Sequence, residues 1–308
     1  MTKVFIDGKA GTTGLRIEER LLQRDDVTLL YLPEEKRKDI EARREIINSA
    51  DVVFLCLPDD AAREAVSLIE NDNVTVIDAS TAHRTNPDWA YGFPELSHEF
   101  EEKIKNSNRI AVPGCHASGF IALVYPLVKA GIISDTSRLC AHSITGYSGG
   151  GKKMIAEYED SDKDALLFAP RQYGLSQMHK HLPEMTAITG LKYAPAFSPI
   201  VSDFYSGMEV TVPLFKEDIN GSISDIKEIY RKNYSSSIIR YEDEENESGF
   251  LSAAKYSGLD SMSITVHGND DRILLVARYD NLGKGASGAA VECLNVKLGC
   301  EKTKNLVV

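Results

Sequence analysis

Within its first 22 residues the chain reads as a strand (Val4-Phe5-Ile6-Asp7), a glycine-rich turn (Gly8-Lys9-Ala10-Gly11-Thr12-Thr13-Gly14) and a helix (Leu15 to Leu22). Glycines in such a turn let the backbone approach a pyrophosphate, which sits on the helix N-terminus. The spacing is Gly-x-x-Gly-x-x-Gly, not the strict Gly-x-Gly-x-x-Gly, so its meaning depends on the segments downstream of it. Thr28 to Leu32, Asp51 to Pro58 and Asn73 to Asp78 read as further strands, with helical segments at Asp39 to Asn48 and Ala61 to Glu70 between them. Strands alternating with helices predict an α/β fold with a parallel, doubly wound, Rossmann-like sheet. Gly8, Gly11, Thr12, Thr13 and Gly14 are therefore candidate cofactor contacts.

The second strand ends in Pro33-Glu34-Glu35-Lys36-Arg37-Lys38 instead of a lone acidic residue for a ribose 2′-hydroxyl. Lys36 and Arg37 are candidates to receive the 2′-phosphate of NADP, with a solvated charge run as the plainer reading. Asp78-Ala79-Ser80-Thr81-Ala82-His83-Arg84 leaves the carboxyl end of the fourth strand, where open parallel sheets bind ligands. Arg84 there is a candidate for bidentate anion binding or an ordinary surface arginine.

Ile110 to Val112 reads as another strand end, broken by Pro113-Gly114, and an apolar-periodic helix then runs from Cys115 to Gly131. Cys115 falls in the first turn, where unpaired N–H groups and the helix dipole favour a thiolate. The competing view is a small buried apolar cysteine. Beyond it Ser137 to Thr145 reads as a strand entering a glycine-rich loop, Gly146 to Lys153. Gln177-Met178-His179-Lys180-His181-Leu182-Pro183-Glu184 comes next. With no third His or Cys nearby, no metal is expected; one histidine as general base, steadied by Glu184, is the sharper reading, and a surface loop the plainer one. Met208 to Phe215, Ser261 to Val266 and Arg272 to Tyr279 read as strands, and Ser224 to Tyr234 as a helix. Strands with few helices between them predict an α+β domain with a mixed, largely antiparallel sheet. The acidic run Tyr241 to Ser248 reads as a solvated loop, and Asp280 to Asn295 as a glycine-rich turn opening a helix.

A net charge of −11 over 308 residues argues against nucleic-acid or anionic-membrane partners. The N-terminus is strand-like, no apolar run approaches a membrane span, and five widely spaced cysteines suggest neither disulfides nor zinc. A reduced, cytoplasmic protein is expected.

In this order, Gly8-x-x-Gly11-Thr12-Thr13-Gly14, Ser80-x-x-x-Arg84, Pro113-Gly114-Cys115, Ser148-Gly149-Gly150-Gly151, His179-Lys180-His181-x-Pro183-Glu184 and Gly283-Lys284-Gly285-Ala286-Ser287-Gly288 resemble the semialdehyde dehydrogenase superfamily over nearly the whole chain. In particular they resemble the N-acetyl-gamma-glutamyl-phosphate reductases of arginine biosynthesis. Pro113 to Phe120 is similar to the shorter of that family's two forms; the longer has Tyr-Pro where this chain has His116-Ala117, and His-Leu-x-Pro where it has Phe197 to Ile200. The resemblance implies an NADP(H)-dependent acyl-phosphate reductase working through a Cys115 thioester, with His181 as acid/base and His179 second for that role. It further implies Ser80, Asn281 and Gly285 at the cofactor, and Arg84, Ser118, Ser148, Gly149 and Glu184 at the substrate. Residues 1–114 and 282–308 would form the NADP-binding domain, 115–281 the catalytic and oligomerisation domain, in a homotetramer or dimer. The rival readings are an aspartate-semialdehyde dehydrogenase and a non-catalytic NADP-binding regulator. A cysteine hydrolase would leave the N-terminal turn unexplained.

Overall fold

The computed structural model describes residues 1–243 and 245–308. They divide into two compact units, one of residues 1–94, 98–113 and 286–306, the other of 95–97, 114–285 and 307–308.

The first unit runs β1 (Thr2–Asp7), α1 (Thr12–Leu21), β2 (Val27–Leu30), α2 (Ile40–Ser49), β3 (Val52–Leu55), α3 (Asp59–Ser67), β4 (Thr75–Asp78), β5 (Ala90–Tyr91), α4 (His98–Asn106) and β6 (Arg109–Ala111). Its six strands form one sheet in the order β2-β1-β3-β4-β6-β5, with every pairing parallel. Parallel neighbours need crossovers, which the helices supply, and a sheet covered on both faces reads as continuous apolar strands. Val52-Val53-Phe54-Leu55 is buried throughout. Successive side chains alternate in face: Val4, Ile6, Val52 and Phe54 share a core with Ile17 and Leu21 of α1, while Phe5, Val53 and Leu55 pack with Ile47 of α2 and Ala62 and Ala65 of α3.

The second unit contains α5 (Cys115–Lys129), β7 (Cys140–Gly146), α6 (Gly151–Glu159), β8 (Arg171–Gln172), α7 (Leu182–Thr189), β9 (Ala196–Ser202), β10 (Met208–Phe215), α8 (Ile223–Asn233), β11 (Ile239–Tyr241), β12 (Met262–Gly268) and β13 (Arg272–Tyr279). Its mixed seven-stranded sheet has the order β11-β12-β13-β10-β7-β9-β8, antiparallel except at β11–β12 and β7–β9. α5 lies on β10 and β13. The last helix, α9 (Gly288–Lys297), belongs to the first unit and is buried at every position from Gly288 to Val296.

Two readings need correcting. The glycine-rich segment after β7 is not an open loop: Tyr147–Gly150 is a 3-10 turn, and α6 starts at Gly151, whose φ of +75° re-aims the chain. Nor is the acidic run a solvated loop, although Glu244 lies outside the described residues. Glu245 and Glu247 each sit 2.8 Å from the guanidinium of Arg278, a β13 residue only 1% exposed. A buried arginine needs such partners.

The glycine turn has a steric logic. Gly8 has φ +84° and a Cβ there would run into the Cys56 carbonyl; a Cβ on Gly14 would lie 2.7 Å from the Lys9 Cα. A Cβ on Gly11, the N-cap of α1, meets nothing closer than the Gly8 carbonyl at 3.5 Å. Gly8→Ala is thus expected to destabilise by about 2–4 kcal/mol. Gly11→Ala should cost about 1 kcal/mol. Urea unfolding of the two variants measures the difference.

Candidate active site

Cys115 is the first residue of α5, with Gly114 as an extended N-cap that offers no side-chain cap. The amide of Gly114 instead donates to Glu184 Oε1 at 2.8 Å. Glu184 sits in the first turn of α7 and is almost fully buried. On the other side, the next residue, His116, donates or accepts at Ser143 Oγ and at the Tyr173 hydroxyl, each 2.6 Å away. Its ring packs on those of His179 (5.5 Å), His181 (5.7 Å) and Phe197 (5.3 Å). The residues flanking Cys115 are therefore fixed from α7 and from the segment preceding it.

His181 is buried, while His179 is half-buried in an irregular segment whose neighbours Met178 and Lys180 are exposed. His181 is the N-cap residue of α7 and is buried, and its amide donates to His179 Nδ1 at 3.2 Å. Pro183 in the first turn of α7 costs no hydrogen bond and presets the helix. Burial, reinforced by the Lys180 charge, holds His179 below its ordinary pKa. Burial also drives His116 down to about 3, with His179 and Lys180 adding to it. The Tyr173 phenol is pushed well up by burial and then by the charge of Cys115. The sequence reading missed His116, Tyr173 and Tyr279 in this cluster. His116 stands beside the nucleophile in the motif itself, whereas the two tyrosines arrive from β8's loop and from β13 with no local signal.

The other expected site residues separate into groups. Ser118 Oγ donates to the carbonyl of Gly114, one turn back in α5. Asn281 donates to Ser148 Oγ at 3.0 Å and accepts the Gly207 amide, with Gly149 alongside. A Cβ on Gly285 would stand 3.1 Å from that of Cys115. In the first unit, Ser80 Oγ donates to Asp78, and Arg84 donates to the carbonyls of Val112 and Ala79, so a buried arginine there ties loops together. A groove of about 210 Å³ opens beside the glycine turn, bordered by Gly8, Lys9, Tyr31, Arg37 and Lys38. Lys36 does not border it, and Arg37 is paired with Glu34 at 2.9 Å. Among the described residues no three His, Cys, Asp or Glu side chains are grouped to hold a metal ion, and no helix is long and apolar enough to cross a membrane.

A parallel nucleotide-type sheet and a mixed-sheet unit carrying a helix-borne cysteine are the two parts of one class of oxidoreductase. The semialdehyde dehydrogenase NAD-binding domain matches residues 3–106, the semialdehyde dehydrogenase dimerisation domain matches residues 115–281, and the chain belongs to that family. Within it, an N-acetyl-gamma-glutamyl-phosphate reductase of Nostoc is 44% identical over 96% of this chain and 97% of its own length. One from Sinorhizobium medicae is 44% identical over 96% and 98%, and one from Chelativorans 45% over 96% and 98%. Among solved structures, aspartate-semialdehyde dehydrogenase of Francisella tularensis superposes with TM-score 0.73 at 15% identity, covering 96% of this chain and 99% of that one. The enzyme of Candida albicans with NADP gives 0.67 at 14%, covering 96% and 98%; at such identities the likeness is one of fold.

The neutral His116 has a measurable consequence. Its folded pKa of about 3 lies below the ordinary histidine value of 6.5, so the unfolded chain binds more protons in that window. The contribution is complete above pH 6.5 and is lost as pH falls toward 3, amounting to about 2 kcal/mol by pH 5. Stability measured by urea unfolding should fall from pH 7 to pH 5, and His116→Gln should flatten that slope.

Proposed function

We propose that this chain reduces N-acetyl-L-glutamyl 5-phosphate to N-acetyl-L-glutamate 5-semialdehyde and phosphate, with NADPH as electron donor, in arginine biosynthesis. The observation that carries the proposal is Cys115 at the first position of a 15-residue helix, with Glu184 and His116 bracketing it. The 44% identity to the glutamyl-phosphate reductases over 96% of the chain supports this substrate over the aspartyl one.

The Cys115 thiol gives its proton to His181 as the sulfur attacks the acyl carbon, and the carbon–oxygen bond to phosphate breaks with its electron pair leaving on phosphate. First-turn amides of α5 face the oxyanion that forms, since helix N-termini stabilise negative charge there. Bound NADPH supplies the hydride that reduces the resulting thioester. Collapse then returns an electron pair to sulfur and releases the aldehyde. His181 supplies the proton that restores the thiol, with His179, held neutral, second in line.

The glycine turn suits a dinucleotide: without side chains at Gly8 and Gly14 the turn packs tightly on the Cys56 and Lys9 backbone at the start of α1. Gly8, Gly11, Thr12, Thr13 and Gly14 would hold the pyrophosphate. Arg37 with Lys38 and Lys9 would take the 2′-phosphate, because these cations border the groove. The chain acts as a homo-oligomer in the cytoplasm, a reading supported by a matched region described as a dimerisation domain and by five cysteines that form no disulfide among the described residues.

Phosphate-dependent reduction of NADP by N-acetylglutamate semialdehyde, run beside aspartate semialdehyde, tests the proposal; turnover of the aspartyl compound alone would overturn it. Cys115→Ser is expected to lower turnover by about 1,000-fold or more while NADPH binding survives. A non-catalytic NADP sensor would instead keep its function in that variant. Replacing Arg37 and Lys38 together by Ala should cut the preference for NADPH over NADH by about 10–100-fold, read from the two KM values.

A further inference from the structure

We infer that Tyr279 is a positioning residue for Cys115, its hydroxyl bridging the Cys115 carbonyl and the Gly119 amide so that the peptide carrying the thiol is tied to the sheet. The inference rests on Cys115 being the nucleophile. Tyr279 is the last residue of β13, paired with Met208 on one side and Met262 on the other, and is fully buried. Its hydroxyl donates to the Cys115 carbonyl at 2.5 Å and accepts the Gly119 N–H at 3.0 Å.

Those two groups stand four residues apart, and an α-helix ordinarily pairs them with each other. α5 already begins at Cys115, and the Tyr279 hydroxyl from another element adds a contact to each end of that rung directly beneath the nucleophile. The contact is built into the sequence. A Cβ on Gly119 would lie 2.7 Å from the Tyr279 hydroxyl and 2.6 Å from Val210 Cγ2, so only glycine leaves room. Gly285 closes the other flank, its missing Cβ leaving space for that of Cys115. Burial, followed by the charge of Cys115, raises the Tyr279 pKa well above 10, so the bridge stays a neutral phenol at every working pH. Glu184 holds the amide just before Cys115 and Tyr279 the carbonyl just after its Cα. The backbone on the two sides of the nucleophile is thereby held from two separate elements, at the Gly114 amide and at the Cys115 carbonyl.

Tyr279→Phe tests this cleanly. The ring is kept, and the carbonyl and amide left behind are i and i+4 partners able to bond each other, so the variant folds. Two quantities are measured on the intact enzyme: steady-state kinetics with the acyl phosphate, and the rate at which iodoacetamide labels Cys115, followed by peptide mass. The expected result is a kcat lowered by about 10–100-fold with KM within about threefold, and Cys115 labelling slowed by at least about fivefold. Wild-type kcat together with a wild-type labelling rate would overturn the inference, and so would a lowered melting temperature with kcat unchanged. If the wild-type protein does not turn over the acyl phosphate, the assigned substrate is wrong, and the labelling rates still decide the role of Tyr279.

Discussion

The N-terminus of α5 is the point on which the second unit turns. A helix start leaves amides that need partners, and most chains satisfy them with a Ser, Thr, Asp or Asn cap. Here the cap position is Gly114, and the carboxylate that meets its amide is Glu184, 70 residues away on α7. A remote cap leaves the space beside Cys115 unfilled by a capping side chain, and it couples the position of α5 to that of α7. The cost is a negative charge placed close to the Cys115 thiol. The helix dipole offsets part of it, since a carboxylate at a helix start is itself stabilised there.

Around that point the polar groups are placed so that they do not titrate near neutrality. His116 is kept neutral by burial, between a serine and a tyrosine hydroxyl that satisfy both ring nitrogens. Tyr173 and Tyr279 are held as phenols. In the first unit the glycine turn is fixed by shape: at Gly8 and Gly14 the backbone itself occupies the room that a side chain would need.

Much of this is legible in the sequence, and for identifiable reasons. Strands such as Val52 to Leu55 are buried on both faces and announce a parallel sheet by composition alone. Cys115 reads as a helix start because Pro113-Gly114 ends the preceding strand and an apolar period begins after it. Bonds across long separations carry no such signal. Nothing local tells that Arg84 gives its donors to the Val112 and Ala79 carbonyls, that Asn281 holds Ser148 and Gly207, or that the acidic run neutralises Arg278. The glycine-rich segment after β7 misleads because glycines mark turns and helix starts alike, and only the backbone angles at Gly151 separate the two.

The order of amino acids by itself determined the two classes of sheet, the glycine turn, the helix that begins at Cys115 and the family to which the chain belongs. Hydrophobic period and chain-breaking residues act over a few positions, so they survive being read in one dimension. Tertiary structure alone decided which partners those parts acquired: Glu184 for the Gly114 amide, Ser143 and Tyr173 for His116, Tyr279 for the Cys115 carbonyl. Each joins residues between 27 and 164 positions apart. A hydrogen bond of that kind is directional and short, and its existence depends on packing that brings two backbones together to within ångströms.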